Sequence, residues 1–290
     1  MKYAYYPGCS LRGTGRAYEE SLLAAFAVLG IVVEELHDWN CCGATTYLSV
    51  DELTSYALAA RNLALAENTH MDVIAPCAAC YLVLNKTQRY MHEYPDIKLV
   101  VTRALASIGL KCGDHVRVRH PLDVLVNDLG LGAISERVTK PLRALKVAPY
   151  YGCQIVRPYA TFDDQGDPTT MDRLLQACGA EVVRYPLKTR CCGGSQKGTL
   201  PEIGLDLIRY LLTEAKKNGA EVIATVCPLC QFNLECFQEE ASYGDSLMMP
   251  VLYFTQLLAF ALGAPAKAVG FDRSLIPIRP VLEKKEIAYA

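Results

Sequence analysis

Cys41-Cys42-Gly43 and Cys191-Cys192-Gly193 are the stretches on which the reading of this chain turns. The first stands with Cys9, Cys77 and Cys80, the second with Cys153, Cys227 and Cys230. Cys41, Cys42, Cys77 and Cys80 each recur 150 positions later, and Cys9 recurs 144 positions later as Cys153. Ten of the thirteen cysteines fall into these two matched sets of five. A fixed internal period means that one structural unit has been used twice.

Outward from each set, strand and helix signals alternate. Residues 2–6 read as a strand running into Pro7-Gly8-Cys9, and 18–29 as a helix stopped by Gly30. Residues 31–36 form the next strand, just before Cys41; Asp51 caps a helix to about residue 67. Residues 72–75 are a strand ending at Cys77, and a helix after Cys80 runs to about residue 90. The second half repeats this order over 146–151, 170–178, 181–186, 201–217 and 221–226. Residues 116–132 and 249–263 each read as a short strand and an apolar helix, with 253–262 expected in the core. The order predicts an α/β fold of two repeated Rossmann-like units with parallel sheets. Each cysteine group then lies at the C-terminal edge of a strand, where open sheets of this kind bind ligands. The expected domains are 1–135 and 145–290, joined by a linker over 132–144. The second half carries six extra residues around 156–168, where Asp163, Asp164, Gly166 and Pro168 mark an irregular loop. Three roles stay open for it: covering a site, contacting a partner, or a tolerated surface insertion.

With 290 residues the chain has room for two cores, and 51% hydrophobic with 21% charged residues is an ordinary globular balance. A net charge of −2 gives no general attraction for nucleic acid or an acidic membrane. The N-terminus enters a strand pattern at once, without the apolar core of a signal peptide. The most apolar window, 252–266, is interrupted by Thr255, Gln256 and Gly263 and is too short for a membrane span. A cytoplasmic protein is expected, and there thirteen cysteines mean metal or redox chemistry before disulfides.

Several chemistries compete for five cysteines. A structural zinc site takes four ligands in a tetrahedron, which leaves one over and fits an adjacent pair poorly. A Cys-x-x-Cys redox pair leaves Cys9 and the adjacent pair unexplained, and a vicinal disulfide at Cys41-Cys42 leaves the other three. Iron–sulfur ligation uses all five thiolates. A regular cubane needs four protein ligands, so a fifth points to a cluster of unusual shape.

The duplicated CCG signature resembles that of the B-subunit of heterodisulfide reductases, over nearly the whole chain. The resemblance implies a non-cubane 4Fe–4S cluster on each unit. One is then held by Cys9, Cys41, Cys42, Cys77 and Cys80, and the other by Cys153, Cys191, Cys192, Cys227 and Cys230. It implies an enzyme that reduces a disulfide, of coenzyme M with coenzyme B or an analogous pair. Its electrons would come from two partners in the complex, a small iron–sulfur subunit and a flavin-bearing subunit. Cleaving a disulfide takes two electrons, and two clusters supply one each. An electron-relay module without disulfide chemistry is the alternative. Gly13-Thr14-Gly15 is too incomplete for a dinucleotide fingerprint, so no flavin or NAD site is expected on this chain.

Cys42 and Cys192, one from each adjacent pair, are the candidate catalytic cysteines, with His120 as a candidate beside Pro121. A structural hydrogen bond is the plainer role for that histidine. Cys112, Cys178 and Cys236 have no repeat counterparts and are expected to be buried apolar residues. Arg12, Arg16, Arg157, Lys188, Arg190 and Lys197 flank the cysteine loops, as anion-binding cations or as solvated surface charge.

Overall fold

A computed structural model describes residues 1–44, 46–113 and 115–288. In chain order the first half contains β1 (Lys2–Tyr5), α1 (Arg16–Leu29), β2 (Val32–Glu35), α2 (Glu52–Glu67), β3 (Val73–Ile74), α3 (Ala78–Glu93), α4 (Pro95–Ala106) and β4 (Val118–Arg119). The second contains β5 (Lys146–Tyr150), α5 (Thr170–Ala177), β6 (Glu181–Val182), α6 (Pro201–Lys217), β7 (Val222–Thr225), α7 (Pro228–Cys236), β8 (Val251–Tyr253) and α8 (Phe254–Ala261). Short helical turns lie between them and after α8.

Each half builds a four-stranded sheet in which every pairing is parallel. The strand orders are β2-β1-β3-β4 and β6-β5-β7-β8, the same topology twice. The repeated α/β architecture expected from the cysteine period is the one observed. The strands are short and rich in Val, Ile and Ala, as suits a sheet covered on both faces. β7 is buried along its whole length.

Contacts divide the chain into two compact units, residues 1–12 with 31–121 and residues 13–30 with 122–290. In the first unit, Asp51 accepts the Thr54 N–H at 3.1 Å and starts α2 where its capping pattern predicts. Tyr56, Ala60 and Ala64 of α2 then pack on Val101 and Leu105 of α4, a helix the sequence reading did not register. In the second unit, α8 is buried throughout, the core role expected of it. Fully burying a Leu or Phe side chain contributes about 1.5–3 kcal/mol, so this helix is a main anchor of its unit.

Helix α1 follows β1 in sequence yet belongs to the second unit. Tyr18 stacks on Tyr253 with ring centroids 4.5 Å apart, and Ser21 and Thr255 share a buried 2.7 Å hydrogen bond. Residues 132–144 do not form a free linker. The Thr139 and Lys140 N–H groups both reach the Ala261 carbonyl at 2.9 Å, and Leu142 is fully buried. The open carbonyl end of α8 gives this segment hydrogen-bond acceptors, and it packs against them.

Candidate functional site

The topology gathers the cysteines. In each sheet the chain turns back on itself between its first and third strands, which lie side by side, and such switch points open a crevice at the strands' C-terminal ends. Cys9 and Cys153 follow β1 and β5, while Cys77 and Cys227 follow β3 and β7 and cap helices α3 and α7. Cys80 and Cys230 sit in the first turns of those helices, whereas Cys80 was expected just before its helix. The CCG segments arrive from β2 and β6.

The predicted sets come together. Cys42 Sγ lies 3.3 Å from Cys80 Sγ, and Cys41 Sγ lies 3.8 Å from Cys9 Sγ. Cys41 also meets Cys42, and Cys80 meets Cys77, so five thiols form one connected run. In the second unit Cys192 Sγ lies 3.5 Å from Cys230 Sγ, Cys230 meets Cys227, and Cys153 meets Cys191. Each set has the same depth profile. Cys42, Cys77 and Cys80 are buried and Cys9 and Cys41 exposed; Cys192, Cys227 and Cys230 are buried and Cys153 and Cys191 half-buried.

Charge explains why such runs require a positive centre. Hydrogen bonds from Cys42 and Cys9, with the Gly43 N–H, hold Cys41 well below the usual thiol range. The neighbouring Cys153 thiol likewise brings Cys191 down to about 6, helped by the Gly193 N–H. Most of the other thiols move the other way, Cys9 and Cys153 at the mouths among them, while the buried Cys192 is lowered by its bond with Cys230. Cys42 rises to about 12 beside Cys41, and Cys80 and Cys230 rise through their cysteine neighbours and burial. Each set thus places thiols held low beside neighbours held high, while five thiolates at such distances would repel one another strongly. A multinuclear cation offsets that repulsion, and an all-sulfur donor set selects soft metals such as iron in iron–sulfur clusters. Five thiols in each set also exceed the four ligands of a tetrahedral ion. The donor set fits a cluster better than one ion.

Two residues missed by the sequence reading shape each site, and the signal was present. Tyr6-Pro7-Gly8-Cys9 and Tyr150-Tyr151-Gly152-Cys153 share a Tyr-x-Gly-Cys pattern. The Tyr6 hydroxyl donates to the Asn40 carbonyl at 2.9 Å, and the Tyr150 hydroxyl donates to the Arg190 carbonyl at 2.7 Å. Both acceptors immediately precede a CCG, so each tyrosine ties the first cysteine strand to the CCG loop. A hydrogen bond of this kind contributes about 1 kcal/mol. Gly8 and Gly152 have φ of +69° and +70°, and a Cβ there would stand 3.0 Å from Cys80 Sγ and 3.1 Å from Cys230 Sγ. Only glycine lets the backbone turn this close to the sulfur.

His120 is fully buried, 2.9 Å from the Pro76 carbonyl through Nε2 and edge-on to Tyr81. It therefore touches the turn that carries Cys77. Arg12 pairs with Glu35, Lys197 with Glu240, and Arg157 donates to Thr189. Arg16 and Arg190 are exposed. Lys188 is buried, contacts Asp167 at 2.6 Å and Asp172 at 3.3 Å, and offers its carbonyl to the Tyr151 and Gly152 N–H groups before Cys153. The 156–168 loop is fastened at this point, because Asp163 accepts the Thr169 and Thr170 N–H groups at the start of α5. Of the three remaining cysteines, Cys178 is buried as expected and Cys112 half-buried. Cys236 is exposed instead, because it ends α7 on a turn facing solvent.

The family model described as "Cysteine-rich domain" (CCG) matches residues 3–85 and again 147–235. A heterodisulfide reductase B-subunit-like protein of Archaeoglobus profundus is 32% identical, covering 98% of this chain and 99% of its own. The B-subunit of the ferredoxin:CoB-CoM heterodisulfide reductase of Methanosarcina mazei is 29% identical, over 95% of this chain and 94% of its own. The 8-methylmenaquinol:fumarate reductase membrane anchor subunit of Wolinella succinogenes is also 32% identical, over 95% and 97%. Among the described residues no helix is long and apolar enough to cross a membrane. A hypothetical protein from Helicobacter pylori shares the fold, with a TM-score of 0.75 and 14% identity over 95% of this chain and 52% of that one. With two cysteine-rich domains and relatives alike over nearly their full length, the chain belongs to the B-subunit family of heterodisulfide reductases.

Proposed function

We propose that this iron–sulfur electron-transfer protein is the disulfide-reducing subunit of its complex, with one non-cubane 4Fe–4S cluster on each set of five cysteines. The observation that supports it is the duplication itself: two full sets, each with three buried thiols and two at the mouth. Bound clusters would supply single electrons, and a disulfide consumes two. Cys42 and Cys192 hold the cluster at the depth of each site, and His120 acts as a positioning residue through the Pro76 carbonyl. The chain's own contribution is to fix the ligands in the loops and helix starts that follow short strands and to leave the mouth of each set accessible. Electrons reach it from the small iron–sulfur subunit and the flavin-bearing subunit of a heterodisulfide reductase-like complex, and the substrate is the coenzyme M–coenzyme B disulfide or an analogue.

The Wolinella relative, named for a fumarate reductase, favours a second reading. On that reading the chain relays electrons within a larger oxidoreductase and leaves substrate chemistry to a partner. Adding coenzyme M and coenzyme B singly to the oxidised, anaerobically purified protein separates the two. Disulfide chemistry predicts that a thiol perturbs a cluster's paramagnetic resonance signal, with each thiol favouring a different cluster. Signals indifferent to every thiol, while electrons still pass to a partner, establish the relay.

A further inference from the structure

The two cysteine sets are built alike, but their surroundings are not. Strand register places Thr225 directly beside Tyr150 on β5 and Tyr253 on β8. Residues in register on neighbouring strands project to the same face of a sheet. One flanking tyrosine reaches the loop of the second cysteine set, and the other reaches the helix that carries Cys230. Tyr150 bonds the Arg190 carbonyl before Cys191, and Tyr253 donates to Gln231 Oε1 at 3.3 Å, beside Cys230. Thr225 therefore lies on the face that carries this set, two residues before Cys227.

Its hydroxyl is anomalous. Thr225 is fully buried, and its Oγ1 has no hydrogen-bond partner among the described residues. Leaving a buried hydroxyl unpaired costs about 1–3 kcal/mol. Of the buried side-chain oxygens in this condition, it is the one on a strand that runs into a cysteine pair. Among the described residues of the first unit, the buried hydroxyl in this condition is that of Thr87, on α3 and not on a strand. One step beyond the paired residues of β1, β3 and β4, the same row reads Tyr6, Ala75 and His120. The repeat keeps the tyrosine and exchanges threonine for alanine.

We propose that the Thr225 hydroxyl donates a hydrogen bond to a sulfur of the centre held by Cys153, Cys191, Cys192, Cys227 and Cys230, setting it at a higher reduction potential than the first centre. The inference rests on the iron–sulfur reading above. A donor on cluster sulfur offsets negative charge, which is greatest in the reduced form, so it favours reduction. Thr225 is a positioning residue here, and its effect is to make the second centre fill first when electrons are scarce.

The test is a dithionite titration of the whole, anaerobically purified chain, one electron per centre, followed by paramagnetic resonance. The signal lost in Cys192→Ser identifies the second centre. Thr225→Val keeps the shape of the side chain and removes the donor. It should shift the second centre's reduction equilibrium about tenfold toward the oxidised form, which is 59 mV for one electron, and leave the first unmoved. Thr225→Ser keeps the hydroxyl and should retain most of the wild-type potential. The proposal is overturned if both centres stay put in Thr225→Val, if both shift alike, or if serine shifts the second centre as far as valine does. A wild-type chain without iron and sulfide overturns it together with the reading beneath it, whereas two intact centres with unshifted potentials overturn this inference alone.

Discussion

Serine at Cys42 should remove one centre and leave the other, so iron should fall from about eight to about four per chain on a two-cluster count. Cys42 is the link through which the first set is connected: it is buried, 3.3 Å from Cys80, and in contact with Cys41. A hydroxyl there is a poorer ligand for soft metal and is left buried without a partner. Cys192→Ser should remove the other half by the same argument, since its sulfur lies 3.5 Å from Cys230. Cys178→Ser is the control. Its thiol is buried, held protonated at a pKa of about 12 by that burial, and has no place in either set. That variant should keep all its iron and lose about 1–3 kcal/mol of stability in a denaturant titration. Iron loss from Cys178→Ser as heavy as that from Cys42→Ser would break the ligand assignment.

Alanine at Gly152 should empty the second site without unfolding the chain. Its φ of +70° costs a residue with a Cβ about 1–2 kcal/mol. The new Cβ also stands 3.1 Å from Cys230 Sγ, so that sulfur must move out of its place. Gly219→Ala separates the two effects. Gly219 has φ of +79° but nothing within 4 Å of the added Cβ, so it meets the backbone cost alone. Similar losses of stability, with iron lost only from Gly152→Ala, are the expected pair of results. Equal iron retention in both would show that close approach of backbone to sulfur is not required.

The cysteine period made the repeat legible, because ligands for one centre must recur at matching points of a repeated fold. Strand and helix order followed from local signals such as Asp51 and Gly30, which cap the helices they were expected to cap. The placement of α1 was not legible. Its amphipathic pattern shows that Tyr18 and Ser21 need partners, but not that the partners are Tyr253 and Thr255, more than 230 residues away. The same limit hid residues 132–144, whose polar look masks hydrogen bonds to the end of α8. Tyr6 and Tyr150 were overlooked for another reason: their roles run through backbone carbonyls, which no residue type reports. Lys188 reads as a surface cation until Asp167 and Asp172 are seen to enclose it.

Counting iron, acid-labile sulfide and zinc in the anaerobically purified wild-type chain tests the central claim most directly. Two 4Fe–4S centres require about eight irons and eight sulfides per chain, with negligible zinc and a brown colour that oxygen bleaches. A colourless protein with stoichiometric zinc and no labile sulfide would contradict it.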